Sequence, residues 1–399
     1  MIEHPYLYEA LKEVKGFIYP NEIELYWDIL IVLYPYITGL VAGAFILASL
    51  ERVFKIRVLK PTYTFALLTA LAFLLTATMP LISHLGQPGR FYEMMITPHL
   101  TSAMAVFGFV YIWYLMVVLL LEIWFDYRKD IIIWKQQSTG IKKFLYRILA
   151  LGTTDVSPRA LKFDDKAGHF ITVVGIPSAF LLHGYVGFIF GSIKANPWWS
   201  STLMPVIFLF SAMVSGIALV MFIYMIVNKI RKLRIDIDCL DMIAKYLLYI
   251  LILDFTLEGL DQIHRIYEAE ESFEIIYMLV HGKLGITLFI FQILLGTVIP
   301  LVVLGFLQFK KFSEAIRKKL YFVTSILVLF GIFFMRWNVV VGGQLFSKSF
   351  YGFTSYKFGL MSASSVGYTI LWTIVPFVIL VFLLWLLPPW KKKEVELGY

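Results

Sequence analysis

Asp254, Glu258, Asp261 and Arg265 follow the i, i+4, i+7, i+11 spacing that lays side chains along one stripe of a helix. Asp254 and Glu258 lie inside an apolar run, where an ionisable group is costly and marks function by default. Carboxylates in a row can hand a proton along the helix, which is general acid–base chemistry. The same stripe also fits a salt-bridge cluster at a helix end, and that is the better reading for Asp261 and Arg265. Arg336 stands in a second apolar run, two residues before Asn338, in Met335-Arg336-Trp337-Asn338-Val339-Val340-Val341-Gly342-Gly343-Gln344. A buried arginine needs a counter-charge, and Asp254 or Glu258 is the expected supplier; snorkelling to an interface is the alternative. His183 lies in a third run and fits either a catalytic role or a bond to a neighbouring helix. The turn-rich segment His84-Leu85-Gly86-Gln87-Pro88-Gly89-Arg90-Phe91 adds a histidine and an arginine, and Pro98-His99 follows as a helix start. Asp254, Glu258 and Arg336 are therefore the candidate catalytic residues. His84, Arg90, His99, His183 and Asn338 are the candidate binding residues.

Such residues need a frame, and composition says which. The 399 residues are 60% hydrophobic and only 16% charged, and mean hydropathy is +0.79. Soluble domains run nearer about 45–50% apolar and about 25% charged. This excludes a soluble enzyme, a disordered chain and a nucleic-acid-binding module, and it predicts an all-α, polytopic membrane bundle. Cys239 is the only cysteine, so no iron–sulfur cluster, c-type haem or disulfide is expected in this chain. Residues 1–23 lack a basic start followed by an apolar core, so no cleavable signal peptide is expected and the first span is read as its own insertion signal.

About 20 apolar helical residues cross a bilayer. Nine such runs are expected, at 25–50, 62–85, 100–125, 168–192, 202–228, 239–260, 278–308, 319–341 and 366–388. Most of the 35 Lys and Arg fall in 51–60, the long loop 126–167, 228–234, 310–319 and 391–393. By the positive-inside rule these face the cytoplasm, which puts the N-terminus outside and the C-terminus inside. The basic stretch 131–150 is expected as an amphipathic helix on the inner surface. Spans two to five and six to nine repeat in orientation, which suggests two four-helix sets, 61–238 and 239–390. An outer segment (1–24), a first helix with its inner loop (25–60) and a tail (391–399) complete the chain.

In this topology His84, His99, His183, Glu258, Arg336 and Asn338 share the outer half. With 17% aromatic residues available, a pocket for a flat apolar redox ligand is expected there, lined by aromatic residues and His84 or His183. A quinone has that shape, and its chemistry needs hydrogen bonds at two oxygens and a proton route.

The Arg336–Gln344 segment, the His84–Phe91 loop, Pro98-His99 and Gly175-Ile176-Pro177-Ser178-Ala179-Phe180-Leu181-Leu182-His183-Gly184 resemble signatures of the NrfD/PsrC family. The likeness is greatest to its longer branch, which holds membrane subunits of hydrogenase-2 and of a sulfite-reduction-associated complex. The resemblance implies an integral membrane subunit that binds menaquinone or menaquinol as substrate near the outer face and carries no haem or metal of its own. It implies partners as well: an extracytoplasmic ferredoxin-like iron–sulfur subunit, a multihaem cytochrome c and further membrane or cytoplasmic redox subunits, with lipid around the bundle. Asp254 and Glu258 rest on the helical stripe and not on the resemblance. Two other readings use the same residues: a haem b cytochrome, with His84 and His183 as axial pair, and a proton or ion transporter using Asp254, Glu258 and Arg336.

Overall fold

The computed structural model describes residues 14–97, 99, 101–268, 273–310, 312–357 and 366–392. Helix α1 (Ile29–Arg52) begins where the Asp28 side chain accepts the Leu30 N–H at 2.9 Å and caps the first turn. Helix α2 (Lys60–Ala77) continues into the short α3 (Met79–His84). The third span consists of α4 (Ala103–Trp113) and α5 (Leu120–Gln137), joined by a π-helical stretch, Tyr114–Leu119. Helix α6 (Gly140–Leu149) is followed by α7 (Pro158–Gly191), α8 (Met204–Ile230) and α9 (Ile237–Glu268). The seventh span starts at α10 (Phe273–Met278), passes through two π-helical stretches, Leu279–Lys283 and Ile286–Val298, and ends in α11 (Ile299–Phe309). Helices α12 (Glu314–Val340) and α13 (Val366–Leu386) complete the bundle. One small antiparallel ladder, Lys15–Gly16 (β1) with Gly352–Phe353 (β2), ties the start of the described chain to the loop after α12.

Eight of these helical segments are long and apolar enough to cross a membrane. The remaining expected span, α9, is a continuous 32-residue helix, about 48 Å long at 1.5 Å per residue. Every 18-residue stretch of it holds at least three of Asp238, Asp241, Lys245, Asp254, Glu258, Asp261 and Arg265, and this sets it apart from the other eight. The helices overrun the expected spans. Residues 131–137 extend α5, so the amphipathic helix is confined to α6. There Ile141, Phe144 and Ile148 are exposed on one side, while Tyr146 on the other donates to the Leu386 carbonyl at 2.7 Å.

Helix α1 is almost wholly buried, whereas most of the Ile286–Phe309 segment is not. The first span therefore lies in the interior, packed against α2, α7, α8 and α12. Close approach allows this: a Cβ on Gly43 would lie 2.1 Å from the Ala212 carbonyl oxygen and 2.8 Å from Gly216 Cα. In lipid, where apolar surface has no water to escape, such backbone contact and the dispersion it brings hold helices together.

Candidate functional site

Two polar clusters form where α12 meets its neighbours, and Arg336 and Asn338 feed one each. Residue 336 faces α7 and α8. Arg336 is fully buried, and one guanidinium NH2 lies 3.0 Å from His183 Nε2, 2.7 Å from Ser211 Oγ and 3.3 Å from the Phe208 carbonyl. The guanidinium also stacks 3.9 Å from the Phe208 ring centre, a cation–π contact.

Arginine only donates, so His183 Nε2 must carry its lone pair and the proton sits on Nδ1. Nδ1 then donates to Thr38 Oγ1 at 3.3 Å, and Thr38 passes its own hydroxyl proton to the Tyr34 carbonyl at 3.1 Å. The direction of every bond in this chain follows from the arginine. Both ring nitrogens of His183 are thus engaged by neighbouring side chains.

The expected direct counter-charge is not what the structure shows. Among the described residues Arg336 forms no ion pair with Asp254 or Glu258, and Nε is buried without a partner. Its contacts are neutral acceptors and a ring, because α7 and α8 reach it first. The two carboxylates act on it only through space.

Residue 338 faces the other way, toward α9 and the seventh span. Asn338 Nδ2 donates to Gln292 Oε1 at 2.8 Å, and Gln292 Nε2 donates to Glu258 Oε2 at 3.1 Å. Asn338 Oδ1 is buried and unpaired, and so is Asp254 Oδ1, one turn along α9 from Glu258. The Glu258–Gln292–Asn338 chain forms one wall of a cavity of about 320 Å³. His281 and Asp261 add polar groups, and Trp198, Phe255, Ile266 and Phe289 add apolar ones. Phe255, Ile266 and Phe289 are exposed on the apolar outer surface of the bundle.

Local sequence sets this geometry. His281 and Gln292 lie on the two π-helical stretches of the seventh span. Widening the turn shifts side chains off the usual helical register, and such segments recur at functional sites. At the end of the cavity, the Trp198 indole donates to the Asn338 carbonyl at 2.8 Å and the Trp199 indole to that of Val339 at 2.6 Å. Gly343 makes room for this, since a Cβ there would lie 2.1 Å from Trp199 Nε1. Asp261 pairs with Arg265 at 3.0 Å and accepts from Ser201, so this half of the stripe is the structural salt bridge expected of it.

The other candidates lie elsewhere. His84 Nδ1 is 3.3 Å from Asp28 Oδ1 at the start of α1. Arg90 is exposed and forks onto Glu93 with two contacts of 2.8 Å. His99 is exposed, with Nδ1 2.6 Å from Thr101 Oγ1, while Pro98 lies outside the described residues. Neither His84 nor His183 lines the cavity. Gln292, His281 and Trp198 were not among the residues singled out from the sequence. A lone amide in the 278–308 apolar run was the available signal for Gln292, and a histidine at a span entry that for His281. Among the described residues no group of His, Cys, Asp and Glu is placed to hold a metal ion.

A bundle of apolar helices with a buried arginine and a lipid-side cavity walled by a carboxylate and two amides defines an integral, multi-pass membrane protein with an internal polar site. The particular family follows from comparison: the model of the polysulphide reductase NrfD family matches residues 20–348, and the chain belongs to that family. It is 33% identical over 241 residues to the C subunit of the selenate reductase of Mesobacillus selenatarsenatis, a match covering 56% of each chain. It is 23% identical over 333 residues to the NrfD homolog of Haemophilus influenzae, covering 80% of this chain and 95% of that one. Against NrfD of Escherichia coli identity is 26% over 197 residues, 49% of this chain and 58% of the relative. The matched part thus spans a little over half the length of the selenate reductase relative. The family match includes α1, which the resemblance of separate motifs did not reach.

Proposed function

We propose that this chain is the quinone-reactive membrane subunit of a respiratory oxidoreductase complex and that the Glu258 cavity is its quinol site. The observation that carries this is a polar wall, Glu258–Gln292–Asn338, set in a cavity whose exposed lining is apolar. A lipid-soluble molecule reaches such a site sideways from the bilayer. The volume lies at the small end of the about 300–1,000 Å³ usual for small-molecule sites, which suits a ring head group with its tail left in lipid. Asn338 lines the cavity, and its Oδ1 is buried without a partner, so a small turn of the amide would offer an acceptor to a hydroxyl donor such as a quinol.

A bound menaquinol supplies two electrons and two protons. Glu258 stands where it can accept a hydroxyl proton at Oε1, while Gln292 fixes the other oxygen. Asp254, one turn along α9, is the next carboxylate on that route. Arg336 is a fixed positive charge behind both, held by His183 and Ser211 so that it cannot swing into the cavity. Trp198 lines the site and is anchored by its indole bond to the Asn338 carbonyl.

In this reading the basic end faces the cytoplasm of a cell membrane, and electrons leave the outer side to an extracytoplasmic ferredoxin-like iron–sulfur subunit, with a multihaem cytochrome c further on. The name of the selenate reductase relative fits electrons flowing out of quinol. A sulfur-type terminal reaction is the favoured assignment for the complex. The test is quinol oxidation by the intact complex with an artificial acceptor, from about pH 5 to 9, a range that brackets perturbed carboxylates. Glu258→Gln should slow turnover and flatten the pH profile while quinone affinity holds. An unchanged rate and profile reduce the Asp254–Glu258 stripe to a structural cluster.

A further inference from the structure

We propose that Glu122 is a proton-binding carboxylate that exchanges its proton with water at the basic end of the bundle through the Tyr63 hydroxyl. Glu122 lies on α5 and is 1% exposed, far into the interior for a lone carboxyl group. Tyr63 of α2 donates to Glu122 Oε1 at 3.2 Å. Thr172 of α7 lies 2.8 Å from the same oxygen and also 2.9 Å from the Gly168 carbonyl. Oε2 is buried without a partner.

These distances describe a protonated acid. Thr172 has one hydroxyl proton and two acceptors within reach. With Glu122 ionised, Thr172 serves either the carboxylate or the Gly168 carbonyl, and one contact is left empty. With a proton on Oε1, Glu122 donates to Thr172 Oγ1, Thr172 donates to the Gly168 carbonyl, and Tyr63 still donates to Oε1. Every short contact is then a hydrogen bond.

A route to water is present. Tyr63 lines a second cavity, of about 830 Å³, at the end of the bundle that carries the basic residues. Arg52, Asp126, Lys129, Asp164 and Lys392 are among its walls. The charged and titratable groups around Glu122 are Arg52 from α1, Tyr63 from α2, and Asp126 and Tyr114 from its own span. Arg52 is bound to Asp165, 3.3 Å away and through its carbonyl at 3.1 Å, and lies 4.0 Å from Asp126, which is also paired with Lys392, so its charge is engaged by these groups and makes no direct contact with Glu122. Uptake is a relay: a hydronium ion in the cavity gives a proton to the Tyr63 oxygen, and Tyr63 gives its own proton to Glu122. A carboxylate and hydronium become a carboxylic acid and water, and Tyr63 ends unchanged.

The experiment is infrared spectroscopy of the full chain in lipid nanodiscs, transferred from H2O to D2O near neutral pH. A protonated-carboxyl C=O band is expected in the wild type and should be lost in Glu122→Gln. Tyr63→Phe should keep the band but slow its deuterium shift by at least about tenfold, as loss of a positioned proton donor predicts. Thr172→Val keeps the carboxyl group but removes its acceptor, so the band should move in frequency; this arm stands if Glu122→Gln fails to assemble. A spectrum unchanged by Glu122→Gln or by Thr172→Val overturns the protonated state. Wild-type exchange in Tyr63→Phe overturns the route.

Discussion

Glu122 and Glu258 sit toward opposite ends of the bundle, and each is held by neutral side chains from neighbouring helices. Glu122 is held by two hydroxyls, Tyr63 and Thr172. Glu258 is held by an amide, Gln292, itself fixed by a second amide, Asn338. A hydroxyl donates and accepts through one atom and can pass a proton on, whereas an amide donates from nitrogen and accepts at oxygen and so fixes orientation. The surroundings differ in the same sense. Behind Tyr63 lies a wide cavity lined by charged residues, while Glu258 faces a smaller cavity with an apolar outer lining. A carboxylate wired to water suits proton exchange, and a carboxylate framed by amides beside lipid suits a bound ring.

Arg336→Met should do the most damage. It strands the His183–Ser211–Phe208 acceptors and removes the charge behind Asp254 and Glu258. Each buried acceptor left without its donor costs about 1–3 kcal/mol, and several are stranded together, so loss of assembled complex from membranes is the expected outcome. Normal yield and turnover would mean the arginine is peripheral to the site.

Glu258→Gln comes next. A positioned proton acceptor is worth about 10²- to 10⁴-fold, so turnover should fall by about 100-fold or more with KM little changed. Asp254→Asn should match it if the proton route continues inward, and should be nearly silent if release is only outward. The comparison between the two carboxylates breaks if Glu258→Gln leaves turnover intact while Tyr63→Phe abolishes it.

Gly343→Ala tests the frame and not the chemistry. Trp199 has to move off the Val339 carbonyl to admit the methyl group, and overpacking of this kind costs about 1–3 kcal/mol. A lower melting temperature with near-normal kcat is expected, and unchanged melting would show that Trp199 is free to shift.

The smallest effect is expected from His281→Ala. Its Nδ1 is 3.0 Å from the Tyr277 carbonyl, which leaves Nε2 free as an acceptor beside the cavity. Losing one such bond is worth about 1 kcal/mol, a several-fold rise in KM for quinol. No change would place the ring outside the bound head group.

The membrane bundle, its helix order and the family were legible in the chain because long apolar runs and the Arg336–Gln344 segment are local signals. The pairing of Arg336 was not. Sequence offers carboxylates as its obvious partners, but in the folded bundle His183 of α7 and Ser211 of α8 lie within hydrogen-bond reach of the guanidinium, and no local pattern in the chain announces that meeting. Gln292 escaped because burial rules single out charges, and an amide in an apolar run draws no such notice. The π-helical stretches that carry His281 and Gln292 leave no mark in hydrophobic periodicity. Glu122 stood near the expected end of the third span at 125, where a carboxyl group reads as interfacial; α5 runs on to Gln137 and buries it instead. Arg90 and His99 drew attention through their motifs, but in the structure both are exposed.

Quinol binding at the Glu258 cavity is tested most directly by photo-crosslinking of the intact complex in membranes with an azido-quinone, followed by mass spectrometry of this chain. Adducts are expected on the cavity walls, on α9 around Phe255–Gln262 and on the seventh span around His281–Ile293, suppressed by excess menaquinone. Adducts confined to the basic end around Tyr63 and Trp390, or adducts that excess menaquinone does not suppress, would contradict it.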